Sequence, residues 1–292
     1  MYRIKRAIIG WLVLALALAL GGCSAVRLSY NNGTPLAWWW LDGYVDFSRE
    51  QAPAARLAID HWFEWHRASQ LGGYVSVLAT AQAQVLEPAT AALACRWSDT
   101  LREAVDPALQ RALTDFADLV PGLAEPQFRH LETRFAKGID EMRGDYLQPD
   151  SVVRLREAVK RTLVRAETLY GTLADAQRRA LAEGVAASPF NPELWLAERQ
   201  RRQRDTVQTL RRLVAERADR DQRIAALRVL VQRSERSPDP EYRAYQQRLR
   251  EYNCAFASQI HNAATPAQRL HARDVLKGWE DDLRSLRAAG VG

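Results

Sequence analysis

Apolar residues recur every three or four positions along most of this chain. Phe128, Leu131, Phe135, Ile139 and Met142 lie on one helical face, and Val152, Leu155, Val159, Leu163 and Ala166 repeat the pattern. No run of four to eight residues alternates apolar and polar positions between turn signals, so no strand is expected. Punctuation supports helices throughout. Ser48 with Gln51, and Thr265 with Gln268, have the spacing of a capping box, with Pro266 at the first helical position of the second. Asp150 or Ser151 caps a helix running to about residue 170, where Gly171 suits the C′ position. Asn191-Pro192-Glu193 opens a helix expected to run from 192 to 233. Gly72-Gly73, Pro121-Gly122 and Ser188-Pro189 are expected breaks. The pattern predicts an all-α bundle of roughly eight or nine helices with no sheet, a single domain over residues 38–292.

The first residues follow a different rule. Arg3, Lys5 and Arg6 precede an apolar run from Ala7 to Leu20, interrupted only by Gly10. That run is shorter than the roughly 20 residues a spanning helix needs, and it fits a secretory signal. Leu20-Gly21-Gly22-Cys23 has the form of a bacterial lipobox, in which Cys23 is acylated after cleavage before it. The expected organisation is a signal peptide over 1–22 and a lipidated tether over 23–37. Ser24, rather than Asp, after the cysteine points to the outer membrane, periplasmic face. Palmitate and its companion acyl chains hold a protein on a membrane without a spanning helix.

Charge and cysteine usage refine this. The chain of 292 residues carries a net charge of +6. Three basic groups belong to the leader, so a nucleic-acid partner is weakly motivated and none is expected. Besides Cys23 the chain holds Cys95 and Cys254. In an oxidising compartment the simplest use of them is a disulfide, the alternative being two buried thiols. Nine Arg and five acids between Glu198 and Arg223 suggest an ion-paired helix face or a contact with anionic groups.

Candidate chemistry is sparse. No P-loop, G-x-S-x-G, G-x-G-x-x-G or H-E-x-x-H pattern occurs. His61, Glu64 and His66 are the only suggestive group, and the spacing of the two histidines does not place them on one helix face. No catalytic residue, metal or cofactor is expected. The densest feature is aromatic: Trp38, Trp39, Trp40, Tyr44 and Phe47, directly after the tether. Such a segment is either core or a surface for a membrane or a protein client. Leu173–Arg178 and Ala264–Arg269 are degenerate copies, each opening a helix with a Gln; two ordinary helix starts explain them equally.

The lipobox, Tyr30-Asn31-Asn32, the Trp38-Trp39 to Tyr44 cluster and His66-Arg67 together resemble an uncharacterised family of Gram-negative lipoproteins, which implies no activity. More weakly, Leu173 with Gln177 and Thr265 with Gln268 are similar to the Leu-Thr-x-x-Gln repeats of periplasmic chaperones. The first copy lacks the Thr, the second lacks the Leu, and this chain is much longer. That resemblance implies an all-α cradle for unfolded clients. The expected function is therefore a non-enzymatic, membrane-anchored lipoprotein binding unfolded or envelope proteins. A scaffold with one fixed envelope partner is the alternative, and an envelope hydrolase the third possibility.

Overall fold

The computed structural model describes residues 25–289. The expected leader, Cys23 and its expected lipid lie outside the described residues. Twelve α-helices and one 3-10 turn follow one another, with no strand among the described residues. They are α1 (Ala25–Asn31), α2 (Gly33–Val45), α3 (Ala52–Ser69), α4 (Leu71–Gln84), α5 (Ala91–Ala117) and, after the 3-10 turn Val120–Gly122, α6 (Glu125–Tyr146). The second half holds α7 (Ser151–Tyr170), α8 (Asp175–Ala186), α9 (Pro192–Ala215), α10 (Arg220–Glu235), α11 (Pro240–Asn262) and α12 (Pro266–Ala288). No helix among the described residues is long and apolar enough to cross a membrane.

The all-α class is as expected, but twelve helices among the described residues replace the eight or nine. The expected tether is the first place that adds helices: its residues 25–31 and 33–37 are helical. Arg27 pairs with Asp282 of α12 at 3.1 Å, and the Tyr30 hydroxyl lies 2.8 Å from His66 Nδ1 of α3, so this segment is part of the packed body. The 192–233 helix is the second. It is interrupted between Glu216 and Asp219, where Arg217 takes a left-handed conformation with φ 49°. Ala218 N donates to Leu213 O and Arg217 N to Val214 O, the two bonds of a Schellman end. Neither Gly nor Pro marks that stop. Conversely, α5 continues through Pro107.

Caps fall where the side chains allow. Asp150, Asn191 and Asp239 each accept two backbone N–H bonds from the first turn that follows them. Gly171 ends α7 with φ 71°, a backbone that a Cβ would strain.

Two regions of packing share the burial. In one, the ends of α2 and α5, the 3-10 turn, α6, α9 and α10 close around Val120, Leu123, Phe128, Leu210, Leu213 and Leu227. In the other, α12 lies along α4, their buried positions including Ala272, Leu276 and Leu286 on α12 and Leu71 and Val75 on α4. Cys95 on α5 and Cys254 on α11 are joined, with S–S 2.00 Å and Cα–Cα 5.3 Å, so the expected bridge ties helices 159 residues apart.

Candidate binding site

The expected aromatic surface divides in two. Trp38 is half-buried; its ring stacks on Phe47 at 5.7 Å, with the Arg56 guanidinium 4.0 Å above it. Tyr44 is half-buried too, its ring 5.0 Å from Trp40 and 5.8 Å from Phe135, with the Arg134 guanidinium over it. Trp38, Tyr44 and Phe47 are therefore packing residues as well as neighbours of a surface. Trp39 and Trp40, by contrast, are 75% and 59% exposed, on the side of α2 that also shows Leu36. A helix has two faces, and a run of three tryptophans places at least one on each.

Trp40 stands at an apolar cleft of about 360 Å³ between α2, α6 and α9, with Phe116 of α5 and Leu227 of α10 also lining it. Tyr44, Phe128, Phe135 and Met142 supply much of its wall. The size lies at the lower end of the roughly 300–1,000 Å³ usual for ligand sites. Its sequence signal was the α6 stripe of Phe128, Leu131, Phe135 and Met142, visible only as one apolar helical face. The stripe is wider than its neighbours cover, so Phe135 and Met142 line open space.

The histidine group does not assemble. His66 is buried, stacked on Trp62 at 4.6 Å and held between the hydroxyls of Tyr30 (2.8 Å) and Tyr74 (3.2 Å). Burial pulls its pKa below the usual imidazole value. His61 and Glu64 are exposed on α3, whereas His66 is buried. A second buried histidine repeats the arrangement: His261 Nδ1 meets the Tyr170 hydroxyl at 2.8 Å and its Nε2 lies 2.7 Å from Glu87 O. Burial pushes the Tyr170 phenol up to about 12. Both are structural linkers between helices. Among the described residues no cluster of His, Cys, Asp and Glu could hold a metal ion.

Much of the arginine run is spent on internal pairing. Glu198, buried, takes Arg201 in two bonds and Arg202 in a third. Burial alone would raise its pKa; the two guanidinium groups overcome that and hold it below the usual carboxylate range. Arg211 bridges Glu125 and Glu132 of α6, and Arg220 reaches Asp118. Arg199 is an exception. It lines the cleft and pairs with no carboxylate among the described residues.

Sequence comparison places this architecture. Residues 43–243 match a family of unknown function, DUF6279. The chain belongs to this family. No curated protein and no solved structure matches it. The DUF6279 region spans every cleft-lining residue except Trp40 and Leu41, which lie just upstream of it.

Proposed function

We propose that this DUF6279 chain is a non-enzymatic lipoprotein, anchored through Cys23 to the periplasmic face of the outer membrane, that holds apolar segments of unfolded or envelope proteins in a chaperone-like way. The observation carrying this reading is the pair of exposed tryptophans, Trp39 and Trp40, the second at the mouth of an open apolar cleft. Contiguous exposed apolar surface of this kind marks a place of contact. The cleft offers apolar walls without a convergent set of acid, base and nucleophile, which favours holding over turnover.

The test has two parts. Labelled palmitate incorporation into the full chain should be lost in Cys23→Ser. The mature chain should suppress aggregation of a reduced, unfolding model substrate, and Trp40→Ala should lose most of that effect with an unchanged melting temperature. If crosslinking in envelopes instead returns one partner at fixed stoichiometry, the chain is a scaffold and the client reading fails.

A further inference from the structure

We infer that the cleft selects for charge: its occupant is a polypeptide segment with a bulky apolar side chain flanked by Asp or Glu. The inference rests on the proposed client-binding role and narrows the client.

The lining contains two arginines, Arg134 of α6 and Arg199 of α9, and no acidic residue. Other arginines of the fold face carboxylates, as Arg211 does with Glu125 and Glu132, Arg250 with Asp99 and Arg233 with Asp205. Neither cleft arginine does so among the described residues. Arg134 lies over the Tyr44 ring, and its Nε is buried without a hydrogen-bond partner. Arg199 lies over Trp195 and is otherwise exposed. A guanidinium carries five donors and stays charged at all working pH. Two of them beside apolar walls, with no acid to neutralise them, leave a positive potential at an apolar site. A carboxylate next to an apolar side chain answers both features at once.

The same lining favours a polypeptide over an acyl chain. Gln203 also lines the cleft and makes no hydrogen bond to any described residue. Its amide offers a donor and an acceptor, which a peptide backbone uses and a hydrocarbon does not. Arg134, Arg199 and Gln203 thus form a polar edge to a cleft otherwise lined mainly by rings and aliphatic side chains.

Calorimetry with three synthetic peptides on the mature chain tests this. The peptides share one Trp-Leu core and differ only in flanks: Asp/Glu, Asn/Gln or Lys/Arg. The acidic peptide should bind about tenfold more tightly than the amide peptide, the basic one more weakly than either, and the gap should narrow at high salt. Arg199→Gln, at an exposed residue that pairs with no carboxylate among the described residues, should fold normally and lose part of the preference. The Arg134→Gln, Arg199→Gln pair should abolish the difference between the acidic and amide peptides. Equal affinity for acidic and amide peptides overturns the charge selection and leaves the client role standing. If no peptide binds, the client role itself fails. Binding of phosphatidylglycerol vesicles, lost in the double arginine variant, with no peptide binding makes the occupant a lipid and overturns both.

Discussion

Gln177 and Gln268 bind each other reciprocally. Gln177 Nε2 donates to Gln268 Oε1 at 2.8 Å, and Gln268 Nε2 donates back to Gln177 Oε1 at 3.0 Å. Each amide also closes its own helix start: Gln177 Oε1 accepts from Ala174 N, and Gln268 Oε1 from Thr265 N. Each remaining N–H reaches the backbone across the junction, to Ala263 O and Thr172 O. Gln51 and Gln127 repeat the device elsewhere in the fold, with bonds of 3.2 and 2.8 Å between the amides. Ser48 N and Ala124 N are their capped donors, and Gly122 O and Asp46 O the carbonyls they cross to. Four helix starts are thus locked in two crossed pairs by one residue type.

Removing one amide from such a pair orphans groups on both sides. Gln177→Ala should lower stability by about 1–3 kcal/mol. The Gln177→Ala, Gln268→Ala double variant should lose clearly less than the sum of the singles. Urea titration of the four species checks this; strict additivity would mean that the amides act only as independent caps.

The Cys95–Cys254 bridge spans most of the second and third quarters of the chain. Its loss should remove about 3–5 kcal/mol, largely by freeing the unfolded chain. Calorimetric melting of Cys95→Ser, Cys254→Ser should fall by about 10 °C. Free-thiol counting on the denatured, unreduced protein should find no thiol at Cys95 or Cys254.

Arg217 pays for its left-handed backbone at the end of α9. Glycine tolerates φ 49° without a Cβ clash, so Arg217→Gly should raise stability by about 0.5–1 kcal/mol. A lower melting temperature would show instead that the Arg217 side chain matters more than its backbone.

His66 supplies a pH dependence. Burial lowers its folded-state pKa beneath the unfolded value, so the unfolded chain binds the extra proton first as pH falls. The contribution is complete above the unfolded imidazole value of about 6.5 and declines as pH falls below it, towards the folded pKa. The melting temperature should fall between pH 7.5 and pH 5, and less steeply in His66→Gln. Parallel curves for the two proteins would remove His66 as the cause.

The helix class was legible because each amphipathic stripe carries its own period. α7 and α12 lie within a few residues of where Asp150 and Thr265 place them. The Gln177/Gln268 echo was visible as a repeated helix start, but its meaning was not, since a single capping box looks the same whether or not a second amide faces it. The Gln51/Gln127 pair carries the same signal, an apolar residue four positions before the glutamine, in Phe47 and Leu123. The α9–α10 break was hidden because a Schellman end there uses an arginine.

By itself, then, the chain's order of apolar and capping residues determined that it is helical, where several helices begin, and which cysteines were available to pair. Those properties are local: they depend on neighbours three or four positions away. Only the tertiary structure decided which tryptophans face solvent, that the α6 stripe lines an open cleft, and that Arg134 and Arg199 stand there without carboxylates. Those depend on residues up to a hundred or more positions apart in the chain, and burial and pairing are settled only when the helices meet.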